Sequence, residues 1–197
     1  MANLSNRTAS VSVSAHKGDP HAMIHQRPAA LAAFAILASS GPASAQATNV
    51  DLDRFDGRWF EIARNQNDLQ RDCSRAQIDF DPADRANRYT IRVTCTRRET
   101  GRVETLRANA AVTDAATRAK FRFSLAGLLS FGGLASQQYW VWDHAPDYSW
   151  AIMGLPNKSN WWIWHRSQSP SASVRSATLA RAGALGFDTA TVVRTGD

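Results

Sequence analysis

Cysteine occurs only twice in these 197 residues, at Cys73 and Cys95, and beyond residue 45 histidine occurs only as His144 and His165. No His lies between or beside the two cysteines, which leaves no Cys/His set with metal-ligand spacing, and no metal or cofactor is implied. The chain also lacks a Gly-x-Ser-x-Gly elbow, a His-Glu-x-x-His pair and a glycine-rich phosphate loop, so the commonest hydrolase, metalloprotease and nucleotide-binding readings fall away. His144 sits near Asp143 and Asp147 and can be drawn as a base with an orienting acid. No nucleophile accompanies it, and polar turns often produce that grouping, so the sequence points away from catalysis. The apolar run 29–38 is ten residues long, about half of what a helix needs to cross roughly 30 Å of hydrocarbon.

The chain does hold 44% hydrophobic and 20% charged residues, the balance of one compact domain. Seven Trp and seven Pro argue against a plain helical bundle, because indole N–H groups need partners and proline interrupts helices. Residues 1–22 are polar and patternless and read as an untranslated or disordered extension ahead of Met23. From Met23 the order is that of a cleaved export signal: His25 and Arg27, the apolar run, Gly41-Pro42, then Ala43-Ser44-Ala45. Residues 23–45 are therefore expected to leave after Ala45, giving a soluble domain over 46–197. No Cys lies near the cleavage point to accept a lipid anchor.

In an exported chain the Cys73/Cys95 pair is read first as a disulfide, closing a loop whose lost entropy amounts to about 3 kcal/mol. Residues 46–197 carry twenty Lys and Arg against sixteen Asp and Glu, a modest surplus that leaves room for weak attraction to anionic lipid. Arg97, Arg98 and Arg102 cluster, but Glu99 and Glu104 sit among them. That pattern describes a solvated hairpin turn, and no nucleic-acid partner is expected.

Short runs alternating apolar and polar residues recur after residue 57, separated by turn residues, and predict antiparallel strands over 59–64, 76–80, 89–96, 103–112, 121–125, 138–143, 150–154 and 161–166. Tyr89, Ile91, Val93 and Cys95 share one face of the third. Residues 171–184 read as a helix started by Ser171 and ended by Gly186, and 191–194 as a last short strand. Eight strands and a late helix fit an all-β fold, an eight-stranded antiparallel up-and-down β-barrel with the helix packed outside. Such a barrel encloses side chains alone or one small ligand. The connection 127–136 holds Leu128, Leu129, Phe131 and Leu134 among glycines, and these need cover from the barrel wall, a pocket mouth or a membrane.

Gly57-Arg58-Trp59-Phe60-Glu61-Ile62-Ala63-Arg64 resembles the first signature of the lipocalin family, Asp147-Tyr148 a shortened second signature, and Trp161-Trp162-Ile163-Trp164-His165-Arg166 the third. Gly186-Phe187-Asp188-Thr189 is similar to the segment that follows the outer helix in bacterial lipocalins, and the resemblance runs from about Val50 to Thr195. It implies that Gly57, Trp59, Asp147, Tyr148 and Arg166 are structural, with the Arg166 guanidinium lying across the Trp59 indole at the closed end. It also implies storage or carriage of lipids for the bacterial envelope, and hence residence in the periplasm. The chain departs from that type in lacking a lipobox cysteine, which disfavours outer-membrane association, and in carrying a Cys pair.

Function in such a barrel resides inside. Phe121, Phe123 and Leu125 are inward candidates because Arg122 and Ser124 alternate with them. Tyr139, Val141, Trp150, Ile152, Trp162 and Trp164 are expected companions, and together these nine are the candidate lining for a fatty acid or lysophospholipid. The competing reading is a solid core that self-associates as a homodimer, or touches a membrane, through outward Trp140 and Trp142.

Overall fold

The structure, a computed structural model, describes residues 46–125 and 136–196. The expected leader, the extension before it and most of the 127–136 connection lie outside the described residues. Asp51 caps a single turn, α1 (Leu52–Phe55), its carboxylate accepting from the backbone N–H of Asp53 and Arg54. Gly57 then turns the chain at φ +85°, a conformation a side chain would strain, and β1 (Gly57–Asn65) begins.

The remaining strands are β2 (Cys73–Pro82), β3 (Arg88–Arg97), β4 (Val103–Val112), β5 (Lys120–Leu125), β6 (Ser136–His144), β7 (Trp150–Gly154) and β8 (Trp161–His165), followed by α2 (Ala172–Ala184) and β9 (Val192–Arg194). Each of β2 to β8 pairs antiparallel with its sequence neighbour, and β1 closes the cylinder by pairing with both β8 and β2. The last β1–β2 pair is Phe60 with Gln77. Beyond it β9 lies against Ala63–Asn65, where β1 has parted from β2.

Two apolar layers follow from this closure. The inner one gathers Trp59, Ile78, Phe80, Tyr89, Ile91, Phe121, Val141, Met153, Trp162 and Trp164 with Leu52 and Phe55 of α1. The outer one lies under α2 and joins Ile62, Trp142, Ile152, Trp161 and Ile163 to Ala182, Leu185 and Phe187. Ser171 caps α2 by accepting from Val174 N–H. Phe187 crosses the barrel at Gly154, where an added Cβ would sit 2.8 Å from its ring, so only glycine permits that approach.

Cys73 and Cys95 form the expected bridge between β2 and β3, with their Cα atoms 5.6 Å apart. Replacing both by serine is expected to remove about 3 kcal/mol and lower the melting temperature by roughly 10 °C, read by thermal unfolding of the oxidised protein and the variant. An unchanged midpoint would mean that the loop is pinned by its other contacts.

Candidate functional site

The inner face is built in two storeys. At the closed end Phe55, Trp59, Phe80, Tyr89, Phe121 and Trp164 form a continuous aromatic plug, with adjoining ring centroids 4.4–6.4 Å apart. Trp59, Phe80 and Phe121 are wholly buried. The Trp59 indole donates to the Phe55 carbonyl at 2.8 Å. Across its face the Arg166 guanidinium lies 3.6 Å from the ring centroid and donates to the carbonyls of Arg54 and Arg58. Tyr148 holds α1 by accepting from Asp51 N–H at 2.7 Å, while Asp147 shapes its turn by accepting from Ser149 N–H.

Toward the mouth the same face is less completely buried. Val93, Phe123, Leu125 and Tyr139 pack against the inner layer but keep part of their surface exposed. In the register Ala110 stands opposite Phe123 and Ala108 opposite Leu125, so bulky side chains face methyl groups across the wall. Phe123, Tyr139 and Trp162 form an arc, with centroids 4.5 Å and 5.5 Å apart. The Tyr139 hydroxyl donates to Gln137 at 3.1 Å, and burial pushes its pKa up.

Above Trp162 the wall turns polar. Glu61 stands opposite Trp164 and Arg64 opposite Trp162, and the register shift between Glu61 and Ala63 places both charges on the inner face although they are three residues apart. Their side chains are 0% and 1% exposed and 2.6 Å apart. The 3-10 turn Asp68–Gln70 docks here. Gln70 donates to Glu61 at 2.6 Å and accepts from the Trp162 indole at 2.6 Å, while Arg64 donates to the carbonyls of Gln70 and Cys73. Burial pushes the Glu61 carboxyl above its usual range, against the pull of Arg64 and of the Gln70 hydrogen bond. Arg64 Nε is buried with no acceptor among the described residues.

Of the nine candidate lining residues, Phe123, Leu125, Tyr139 and Trp162 come together on the upper wall. Phe121, Val141 and Trp164 are inward but fully packed in or beside the plug. Trp150 and Ile152 belong to the outer layer under α2, and Ala151 and Met153 take the inward positions of β7. That placement corrects the sequence expectation, for β7 is covered on both faces and its apolar run carries no parity. Trp140 and Trp142 do point outward, but Trp142 is only 7% exposed, beneath Phe187 and Lys158. The apolar strip expected for self-association is thus largely covered by the chain itself.

The polar trio of Glu61, Arg64 and Gln70 lies outside the sequence expectation; its signal is an opposite-charge pair, Glu61 and Arg64, flanking the apolar Ile62-Ala63 of the first strand. His144 stacks on Tyr148 at 4.3 Å and Asp143 is engaged by Arg181. Among the described residues no cluster suits a metal ion, and no helix is long and apolar enough to cross a membrane. A recess of about 200 Å³ lies where β1 and β2 part, bordered by Phe60, Arg75, Gln77, Thr94 and Val103. It is open to solvent and separate from the aromatic arc.

Comparison with known proteins agrees with this geometry. Residues 50–197 match the lipocalin-like domain family. The outer membrane lipoprotein Blc of Escherichia coli K12 is 29% identical over 164 residues, covering 81% of this chain and 89% of that protein. Among solved structures, insecticyanin from the tobacco hornworm Manduca sexta superposes with a TM-score of 0.59 at 18% identity, covering 78% of this chain and 84% of the other. Lobster apocrustacyanin A1 does so with 0.53 at 13% identity, covering 79% and 92%. The two structures share the fold.

Proposed function

Because the chain belongs to the lipocalin family, whose members bind and carry small hydrophobic molecules, we propose that its upper chamber takes the acyl chain of a fatty acid or lysophospholipid. In this reading the domain over 46–197 is exported by the 23–45 leader and works in the periplasm, in upkeep of the bacterial envelope. The observation that carries it is the graded burial of the inner face: a sealed aromatic floor beneath an arc in which Phe123 and Tyr139 stay partly exposed beside the buried Trp162. About ten methylenes at ~0.8 kcal/mol each supply roughly 8 kcal/mol, the size of a micromolar dissociation constant before the losses of association are subtracted. Leu125 and Val93 supply further apolar wall, and Tyr139 and Gln70 offer polar contacts to the head group.

Titrating the delipidated protein with lysophospholipid is expected to give a saturable tryptophan fluorescence change, with one lipid retained in native mass spectrometry. Phe123→Asp, which sets a carboxylate against the acyl chain, is expected to weaken binding at least about tenfold. No saturable change together with no retained lipid would overturn the proposal.

A further inference from the structure

The charge of the domain is unevenly placed. Residues 88–125, which form β3, β4 and β5 with their turns, hold nine Lys and Arg against three Asp and Glu, whereas the rest of 46–197 holds eleven against thirteen. Strand alternation sends Arg88, Arg92, Arg107, Lys120 and Arg122 to the outer wall, because Tyr89, Ile91, Ala108 and Phe121 beside them face inward. Arg92 and Arg107 stand directly opposite each other, a like-charge pair that weakens a sheet. Asp79 engages Arg92 and Asp114 faces Lys120. Arg88, Arg107 and Arg122 are exposed, and no acidic partner stands against them among the described residues. At the edge of this wall Lys120 lies opposite Trp140, its ammonium 4.8 Å from the half-buried indole.

We infer that the outer face of β3–β5 is a docking surface for anionic phospholipid head groups. Several fixed cations spread over the tangent face of a barrel, bordered by an amphipathic indole, suit a planar array of negative charges. The wall's outward side chains include no stacking aromatics along its centre, the feature that would favour a nucleic-acid strand. This inference rests on charge placement alone and holds whether or not the barrel carries a lipid.

The test is co-sedimentation of the full chain with phosphatidylcholine vesicles that do or do not contain about one-third phosphatidylglycerol. The wild-type protein is expected to bind the anionic vesicles preferentially and to release as salt is raised. Each exposed arginine contributes about fivefold to partitioning, so the double variant Arg107→Gln/Arg122→Gln should partition about twenty-five-fold more weakly. The charge-matched control Arg71→Gln/Arg194→Gln, off this wall, should change by less than about twofold. Equal losses in the two double variants, no loss in either, or tighter binding to a single-stranded oligonucleotide than to the vesicles would each overturn the inference. Saturable lysophospholipid binding measured on the same variants should stay at the wild-type level, which separates a failure of this face from a failure of the chamber.

Discussion

Arg64→Met is expected to cost about 3–5 kcal/mol at neutral pH, because it removes the cation from a pair whose members are almost wholly inaccessible and leaves the Glu61 carboxylate stranded. Methionine keeps most of the arginine stem, so the loss reports charge rather than volume. The pH dependence gives the mechanism away. Burial already lifts the Glu61 pKa, so the folded state holds this proton more tightly than the unfolded chain does. Stability from this group is therefore highest below the unfolded pKa and declines as pH rises through the folded one. Without Arg64 the folded pKa climbs further and the decline steepens. The gap in melting temperature between wild type and variant should widen as pH rises and narrow as it falls, because acid lets Glu61 fold protonated. Adding Glu61→Gln should restore part of the loss, the remainder belonging to the Gln70 and Cys73 carbonyls that lose their donor. A gap independent of pH would show that Arg64 acts through packing.

The second large effect is at the floor. Trp59→Ala should cost about 3–5 kcal/mol by opening a cavity in the plug, since the indole is wholly buried against Phe55 and Trp164 and carries Arg166 on its face. Arg166 retains its carbonyl contacts to Arg54 and Arg58, so the guanidinium stays tied while losing a cation–π contact of about 0.5–2 kcal/mol. Denaturant unfolding measures the loss. Lipid affinity of the fraction that remains folded should stay close to wild type, because the arc of Phe123, Tyr139 and Trp162 lies at the other end. A parallel collapse of affinity and stability would show floor and chamber to be one unit.

Where one face of a strand meets solvent, the sequence alone revealed its orientation. In β5 the alternation of Phe121, Phe123 and Leu125 with Arg122 and Ser124 holds in the structure, as does the shared face of Tyr89, Ile91, Val93 and Cys95 in β3. The third-signature strand Trp161-Trp162-Ile163-Trp164 is apolar at every position because α2 covers its outer side, and a strand buried on both faces has no period to read. β7 suffers the same loss, which is why Trp150 and Ile152 were expected inside. The bulge in β1 hides the inner polar trio in another way: strict alternation separates Glu61 from Arg64, and the extra residue reunites them. The closed end was legible through motif residues, Trp59 with Arg166, because that contact depends on two side chains rather than on parity along a whole strand.

The most direct test of the chamber uses a lysophospholipid brominated near the end of its acyl chain, since bromine quenches only tryptophans it approaches closely. Trp162 lies on the upper wall, Trp59 and Trp164 in the floor, and Trp140, Trp142, Trp150 and Trp161 outside the barrel. Saturable quenching that is largely lost in Trp162→Phe and retained in Trp140→Phe is the predicted result. Quenching that survives Trp162→Phe and disappears with Trp140→Phe would place the lipid on the outer wall and contradict a ligand held inside.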